Sequence, residues 1–299
     1  MARLHLSLLY RWRHGRWPDL DRPRRFTEWV QWRKLYDRCP DRARLTDKSH
    51  SKAIAAALLG SQMVVPTLWR GSVLPVGPQW PMPFMVKANH GCGQCVVVRD
   101  RLDWQRARTT APRWLASRYG AALGEWHYRA AHPGLIVEPY LGTGQALPLD
   151  FKLYVFGGRA VVVQLHEERA GRHRWSQLDR DWRPLSTMTS AHQRPASFEI
   201  MLAAAERLGA GHDFLRVDFY EIDGRPLFGE FCLFPGSGLD PFDPDQLDEQ
   251  LGAHWAVGRE TVGATPVDPA ADPGYWAGRP RGPRFAIPRR TRAEHCSTT

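Results

Sequence analysis

Three predicted β-hairpins, separated by stretches with helical periodicity, limit the fold of this 299-residue chain more than any other feature. They cover residues 84–99, 150–166 and 214–234, and their turns contain Gly91, Gly157-Gly158 and Asp223-Gly224-Arg225. Strands joined by such short turns pair antiparallel, whereas parallel strands need long crossover connections. Neither a G-x-G-x-x-G motif nor a G-x-x-x-x-G-K-[ST] motif is present. The sequence therefore predicts an α+β fold with antiparallel sheets.

Periodicity and capping residues predict further elements around these hairpins. Thr27 is a candidate N-cap for an amphipathic helix, and Gly60 ends a second helix that starts near Lys48. The predicted helices cover residues 26–38, 48–59, 112–122 and 198–208, with buried strands at 63–69 and 134–141 and an irregular, functional loop at 167–183.

The positive charge of the chain is concentrated at its ends. Residues 1–52 carry 14 Lys and Arg against 6 Asp and Glu, and residues 259–299 carry 7 against 4, whereas residues 53–258 carry 20 against 21. A nucleic-acid-binding protein usually has its basic patch on the folded domain, so we expect no nucleic-acid partner. The basic N-terminal segment has three open interpretations: it meets an anionic polysaccharide, it meets a membrane surface, or it is simply solvated.

The apolar runs of the chain are short. None approaches the roughly 18 residues of a membrane span. The opening residues MARLHLSLLYRWRHGR are a poor secretory signal, because polar residues interrupt the apolar patch. We therefore expect a cytoplasmic protein, with a peripheral membrane association left open by its basic N terminus.

The segment 84-FMVKANHGCGQCVVVRD-100 allows two interpretations. Cys92-x-x-Cys95 has the spacing of a metal or redox site, but no second cluster supplies the remaining ligands of a zinc ion. Lys87 ends an apolar strand and is followed by a loop containing Gly91 and Gly93, an arrangement suited to binding phosphate. A surface lysine is the plain alternative.

Two acids in the last hairpin form a candidate metal site. If the turn has three residues, Asp218 stands opposite Glu230, and the repulsion between them is relieved by a cation such as Mg²⁺. A two-residue turn would send Glu230 to the other face, and two solvated acids are the plain alternative. Arg216 shares the face of Asp218, where it either binds an anion or forms an ion pair. The backbone of 235-PGSG-238 either approaches a phosphate or forms a plain turn.

Taken in order, these segments resemble the ATP-grasp fold, and more closely its teichuronopeptide-biosynthesis, TupA-like branch. The residues that carry the resemblance are 26-FTEWVQWRKLYDR-38, 46-TDK-48, 86-VKANHGCG-93, 125-EWHY-128, 136-IVEPYLG-142, 150-DFKLYVFGG-158, 216-RVDFY-220 and 229-GEFCLFPGSG-238. The resemblance implies two α+β lobes with antiparallel sheets that grip ATP, after a helical N-terminal extension. The expected parts are a basic helical extension at 1–60, a first lobe with the glycine loop at 61–134, a second lobe with the metal site at 135–258, and a Pro/Gly/Arg-rich tail at 259–299.

The resemblance also implies roles for individual residues, with ATP and Mg²⁺ as cofactors. Asp218 and Glu230 would hold Mg²⁺, although Cys232 stands where many ATP-grasp enzymes have an asparagine ligand, and Trp29 stands where the branch often has a lysine. The nucleotide would be bound by Lys87 and Lys152 on its phosphates, by the mobile loop with Gly91 and Gly93, and by a hinge of Glu138, Pro139, Tyr140 and Leu141 at its adenine.

The implied activity is an ATP-dependent carboxylate–amine ligation through an acyl phosphate. The branch points to attachment of an amino acid or peptide to a uronic acid or amino sugar of a surface polysaccharide, so the partners are a small carboxylic acid and an amine. Arg216, Arg169 and Arg174 are the candidates for stabilising the tetrahedral intermediate, the latter two from the basic stretch 167–174. The alternatives are a sugar kinase with the same fold and a non-catalytic protein that binds an anionic polymer.

Overall fold

The computed structural model describes residues 1–144, 146–169, 172–187 and 192–263, with the backbone alone at 167–169 and 172–174. The helices are α1 (Ala2–His14), α2 (Phe26–Tyr36), α3 (Pro40–Arg44), α4 (Lys48–Leu59), α5 (Arg101–Ala116), α6 (Phe198–Gly209) and α7 (Gln246–Thr261), with 3-10 helices at Ser61–Met63, Ala121–Leu123, Trp126–Ala130 and Pro235–Gly238. The strands are β1 (Trp69–Gly71), β2 (Phe84–Ala88), β3 (Cys95–Val98), β4 (Leu135–Pro139), β5 (Asp150–Phe156), β6 (Arg159–Arg169), β7 (Arg172–Asp179), β8 (Phe214–Ile222) and β9 (Arg225–Cys232).

The first sheet has the strand order β1-β4-β2-β3, and all its neighbours are antiparallel. Its core contains Phe84 and Val86 of β2, against which Trp104 and Ala107 of α5 pack. Burial of these apolar side chains is the main force that holds α5 to the sheet. Because β4 begins at Leu135, this sheet extends beyond residue 134, where the sequence suggested that the first lobe ends.

The second sheet has the order β7-β6-β5-β8-β9, again antiparallel throughout. The alternating side chains Phe151, Leu153 and Val155 of β5 lie in the core, together with Met201 and Leu202 of α6. The other side chains of β5 and β8 include acids, lysine and arginine, and they define a polar face of the sheet. The two sheets and the helices around them confirm the predicted α+β fold with antiparallel strands.

The N-terminal helices are attached to the second sheet. Phe26 at the start of α2 contacts the rings of Phe214 and Trp255 at 4.9 and 5.3 Å between centroids. The buried Asp248 of α7 accepts hydrogen bonds from the backbone and the hydroxyl of Thr27 at 2.9 and 2.7 Å. The predicted N-cap Thr27 thus lies inside α2, and its hydroxyl joins α2 to α7. In the part of the chain that the structure describes, no helix is long and apolar enough to cross a membrane.

The helix predicted at 112–122 is wrong at both ends. Helix α5 begins at Arg101, because the Asp100 side chain accepts a hydrogen bond from the backbone N–H of Asp103 at 2.8 Å and so caps it. The helix continues through Pro112 and ends at Ala116. Proline is frequent in the first turn of a helix, but Pro112 lies well inside α5.

The strand predicted at 63–69 is largely absent. Ser61–Met63 form a 3-10 helix, Val64 forms an isolated bridge with Phe228, and β1 begins only at Trp69. Pro66 has no N–H to donate, which interrupts strand pairing in this run.

The loop predicted at 167–183 is mostly a hairpin. Strands β6 and β7 pair without a break from Val162↔Asp179 to Arg169↔Arg172. The far end of this hairpin carries charged residues, so no alternation of apolar and polar residues marks it as strand in the sequence.

Candidate functional site

Glu138 on β4 holds two lysines beside the first sheet. Its Oε2 lies 2.7 Å from Lys87 Nζ on β2, and its Oε1 accepts a hydrogen bond from Lys52 Nζ on α4. Burial alone would raise the pKa of this carboxyl, but the two ammonium groups lower that pKa below its ordinary value. The Glu138 carboxylate therefore orients Lys87, the lysine that the sequence assigned to phosphate.

The predicted hinge follows directly at the end of β4. Pro139 is paired with Phe84, so the segment leaves the sheet at a fixed point. The Tyr140 hydroxyl donates to the carbonyl of Ala146 at 2.7 Å, which closes a short loop after the strand. Contacts of the hinge residues Glu138, Pro139, Tyr140 and Leu141 with adenine stay a prediction.

Lys48, the first residue of α4, connects the glycine loop to the second sheet. Its Nζ donates a hydrogen bond to the carbonyl of Gly91 at 2.5 Å and lies 3.5 Å from Glu230 Oε2 on β9. Asp47 caps α4 by accepting from the backbone N–H of His50, and it also accepts from Asn89 Nδ2 at 2.9 Å. The helix start and the glycine loop are thereby fixed to each other.

Sequence reasoning missed Lys48 as a site residue. The available signal was the TDK triplet, in which a capping aspartate is followed at once by a lysine. A lysine in that position is fixed by the cap, but only the fold reveals that Gly91 and Glu230 lie within its reach.

The backbone conformation of the glycine loop requires glycine at one position, since Gly93 has a φ of 69°. A Cβ at Gly91 would lie 2.2 Å from Oε1 of Gln94, a flexible side chain that would have to move aside. Cys92, between them, is exposed and free. The zinc alternative for Cys92 and Cys95 gains no support, since among the described residues no group of three or more His, Cys, Asp or Glu could hold a metal.

Asp218 on β8 is the centre of a buried charge network. It accepts hydrogen bonds from Arg216 Nε and Nη2 at 2.8 and 2.7 Å, and from Lys152 Nζ on β5 at 3.1 Å. Burial opposes the charged form, but these two cations lower the pKa of Asp218. Arg216 thus forms the ion pair that the sequence left as an alternative, and Lys152 contacts carboxylates.

Asp150 joins the same network, and sequence reasoning missed it. Its Oδ2 accepts from Lys152 Nζ, while its Oδ1 is buried with no hydrogen-bond partner in the described chain. Burial, together with the neighbouring Asp218 charge, raises the pKa of Asp150 despite the nearby lysine. An unpaired buried carboxylate oxygen is costly, so this atom is a candidate ligand for an incoming cation or donor.

Asp218 and Glu230 stand opposite each other, as predicted, but for a different reason. The turn has two residues, since Ile222 pairs with Arg225, and Asp223 and Gly224 both have positive φ. The ladder then shifts between Asp218 and Phe219, so that Gly229 is an extra residue in β9. This β-bulge returns Glu230 to the face of Asp218.

The carboxylates fit a divalent cation by their chemistry. Asp218, Glu230 and the unpaired oxygen of Asp150 are hard donors of the type that Mg²⁺ prefers. Cys232, which pairs with Arg216, is a soft donor that suits Mg²⁺ poorly. Among the described residues, no three or more His, Cys, Asp or Glu are grouped so that they could hold a metal by themselves, so phosphate oxygens of a nucleotide would have to supply the remaining ligands.

A second buried cluster fixes the loop that follows β9. Lys34 Nζ on α2 donates to the carbonyl and the hydroxyl of Ser237, both at 2.7 Å, and Gln31 Nε2 donates to the carbonyl of Ser237 at 2.9 Å. Burial lowers the pKa of Lys34 to about 8 and raises the pKa of the nearby Glu125. Ser237 has a φ of 56°, an uncommon conformation for serine. Residues 235–238 are therefore a constrained loop, and an approach of their backbone to a phosphate stays a prediction.

The two arginines predicted on the basic stretch belong to the end of the β6–β7 hairpin. Arg169 pairs with Arg172, and Arg174 pairs with Glu167. Their side chains lie outside the described part of the structure, so their proposed contact with substrate stays a prediction.

Comparison with known proteins identifies one family. A family model described as TupA-like ATPgrasp matches residues 28–256, about three quarters of the chain. A search of curated proteins gave no match.

Several solved ligases are similar in structure. The D-alanine–D-alanine ligase from Bacillus anthracis has 16% identity and a TM-score of 0.44, covering 73% of this chain and 66% of that one. The VanG D-Ala:D-Ser ligase from Enterococcus faecalis has 11% identity and a TM-score of 0.45, covering 73% and 62%. The L-amino acid ligase from Bacillus licheniformis has 13% identity and a TM-score of 0.41, covering 71% and 43%. The chain thus spans about two thirds or less of these enzymes, and likenesses this distant carry no inference about its substrates.

Proposed function

The chain belongs to the TupA-like ATP-grasp family, and from this premise we propose that it is an ATP-dependent ligase that joins a carboxylic acid to an amine. The observation that carries the proposal is the position of Lys48. One ammonium group contacts both the glycine loop at Gly91 and the carboxylate of Glu230. A nucleotide triphosphate bound there would have a cation, a glycine loop and a metal-binding acid within reach of the same phosphates.

The proposed nucleotide site uses three lysines. Lys87 is held by Glu138, Lys48 by the capped start of α4, and Lys152 by its neighbouring acids. Lysines at fixed points stabilise the charge that develops when a phosphoryl group is transferred, without reorganising during the reaction. Gly91 and Gly93 would close over the phosphates.

Asp218 and Glu230 are the proposed holders of Mg²⁺, with Asp150 beside them. The ion, when bound, would neutralise phosphate charge in the transition state. Lys152 and Arg216 provide compensating charge for Asp218. On this proposal the two cationic side chains keep Asp218 ionised and in place.

The proposed reaction has two steps. A substrate carboxylate oxygen attacks the γ-phosphorus of ATP, the bond to the bridging oxygen breaks, and ADP leaves. An amine then attacks the acyl phosphate, phosphate leaves, and the nitrogen loses a proton. The tetrahedral intermediate of the second step carries an oxyanion, for which Arg169 and Arg174 are the proposed partners, with Arg216 fixed beside Asp218.

For the substrates we propose an amino acid or peptide and a uronic acid or amino sugar of a surface polysaccharide. This finer assignment is supported only by the resemblance to the TupA-like branch. A sugar kinase is the rival that shares the nucleotide site, since it needs the same lysines and carboxylates.

Hydroxylamine trapping tests the proposal. The protein is incubated with ATP, Mg²⁺, hydroxylamine and a panel of amino acids and uronic acids, and hydroxamate is measured. The Asp218→Asn variant should lose the product. The matched control, Asp223→Asn, changes an exposed acid of the same hairpin and should retain it, because asparagine tolerates the positive φ of 51° at that turn. ATP consumption with sugars but no hydroxamate from any acid would favour the kinase.

A further inference from the structure

Helix α1 has two apolar faces, and only one of them is packed against the protein. Leu6 and Tyr10 are fully buried on the inner face, and the Tyr10 hydroxyl is 2.9 Å from Thr27 Oγ1. On the outer face Leu4 is 61% exposed, Leu8 51% and Trp12 60%. These three are spaced four residues apart, so they form a continuous stripe along one side of the helix.

The stripe cannot turn inward, because the ends of α1 are fixed to the rest of the protein. His5 Nε2 is 3.0 Å from the carbonyl of Ala122, and His14 Nε2 is 3.1 Å from the carbonyl of Gly238. Arg13 Nε donates to the carbonyl of Leu239 at 3.0 Å. The orientation that buries Leu6 and Tyr10 therefore keeps the outer face in solvent.

Unpaired positive charge and a second exposed indole lie on α1 and in the segment that follows it. Trp17, just after α1, is 53% exposed, and the Arg11 guanidinium lies over its ring at 5.0 Å. Arg11, Arg22 and Arg24 are exposed and have no ion-pair partner in the part of the chain that is described. The neighbouring Arg13, Arg16 and Arg25 are paired with acids of the segment 240–249.

We propose that this face of α1 binds an anionic membrane surface, with Leu4, Leu8 and Trp12 inserted into the interface between headgroups and acyl chains. A helix in the plane of the membrane needs apolar side chains on the side that inserts, and gains further affinity from cations beside anionic lipids. Exposed tryptophans favour the same interface.

The features of this face fit a membrane better than they fit an anionic polymer or a second copy of the chain. A hydrated anionic polymer would pair with the arginines but would leave Leu4 and Leu8 in water. A second copy of the chain would bring two positively charged faces together, since residues 1–25 contain seven arginines and two aspartates. A surface with both an apolar layer and negative charge satisfies the two parts of the face at once.

Vesicle flotation with the full chain tests the proposal, and it needs no turnover, so it is independent of the ligase assignment. Vesicles of phosphatidylcholine are compared with vesicles that also contain phosphatidylglycerol. We expect the protein to float with the second kind and to be released as salt is raised. The variant Leu4→Ser, Leu8→Ser, Trp12→Ser should bind at least about tenfold more weakly, because little apolar surface remains to insert.

In the matched control, three exposed apolar residues of other helices are replaced by serine: Leu102→Ser, Ile200→Ser and Val257→Ser. It should float like the unchanged protein. The proposal is overturned if the unchanged protein binds neither kind of vesicle, or if the α1 variant binds as well as the control. It is also overturned if size-exclusion chromatography finds a dimer that the α1 variant converts to a monomer, since the face would then join two copies.

Discussion

Lys48 Nζ lies 3.5 Å from Glu230 Oε2 while donating a hydrogen bond to the carbonyl of Gly91. One side chain at the start of a helix therefore contacts the two parts of the candidate site that would surround a triphosphate. Neither partner belongs to its own helix, so this contact depends on the assembled fold.

Replacing Lys48 by methionine should slow ATP-dependent turnover by about 10² or more, because a fixed cation at transferring phosphate is lost. The fold should be retained, since Lys48 is partly exposed and Asp47 still caps α4. Steady-state ADP release measures the effect. Arg44→Met is the control, because Arg44 is an exposed cation just before the same helix. Equal rates for the two variants would remove Lys48 from the site.

Glu230→Gln should raise the Mg²⁺ concentration needed for half-maximal activity by about tenfold or more. The change preserves the shape of the side chain but removes one of the two opposed negative charges, while Asp218 stays in its network. A titration of activity with Mg²⁺ at saturating ATP measures this. An unchanged Mg²⁺ requirement would mean that Glu230 holds no metal.

Glu138→Gln should destabilise the protein by about 3 kcal/mol or more, because it leaves Lys87 and Lys52 without their buried carboxylate. Urea unfolding at neutral pH measures the loss. The control Glu249→Gln breaks an exposed ion pair with Arg25 and should cost about 1 kcal/mol at most.

The lowered pKa of Glu138 predicts that the stability of the protein falls in acid. The folded pKa of Glu138 is lowered, so its stabilisation is complete above the unfolded value of about 4.3 and is lost as the pH falls through the folded pKa. The Glu138→Gln variant should therefore lose less stability on acidification than the unchanged protein. Parallel acid unfolding curves for the two would contradict the role of the charge.

The lowered pKa of Lys34 predicts that the stability of the protein changes with pH in alkaline solution. Its folded pKa is about 8, below the unfolded value of about 10.4. Between these values the unfolded chain binds more protons, so the stability of the unchanged protein should rise with pH across this window. Lys34→Met should lack the rise, and urea unfolding at several pH values tests this.

Activity should respond to Lys34 as well, because the constrained loop 235–238 directly follows β9, the strand that carries Glu230. Lys34→Met removes two hydrogen bonds to Ser237, and the turnover rate should fall while the ATP concentration for half-maximal rate changes little. Lys34→Gln keeps a donor and should recover part of the rate. If Lys34→Met is as active as the unchanged protein, the cluster serves folding only.

Much of the fold could be predicted because local patterns and long-range packing agree. Helix α4 spans Lys48–Leu59 and ends at Gly60, as capping residues indicate, and α6 begins at Phe198 as its periodicity indicates. The alternation in β5 also matches its buried side chains Phe151 and Leu153. In these elements the residues that favour a structure locally are the residues that the core requires.

The candidate site was less predictable, because its contacts join distant segments. The Asp218–Glu230 pairing could be inferred within one hairpin, but from a three-residue turn that does not form. The pairings of Glu138 with Lys52 and of Lys34 with Ser237 join residues 86 and 203 positions apart. No periodicity or spacing in a single sequence reports such a contact.

The bulge at Gly229 has a consequence for how the turn of this hairpin can vary among related chains. A two-residue turn with one extra residue in β9 aligns the same positions as a three-residue turn with an unbroken ladder. If the turn gains one residue and the extra residue of the bulge is lost, Asp218 and Glu230 therefore remain opposite each other. Either change alone would move Glu230 to the other face of the sheet. Homologues whose hairpins differ in turn length can thus keep one arrangement of carboxylates, with the same number of residues between the two acids.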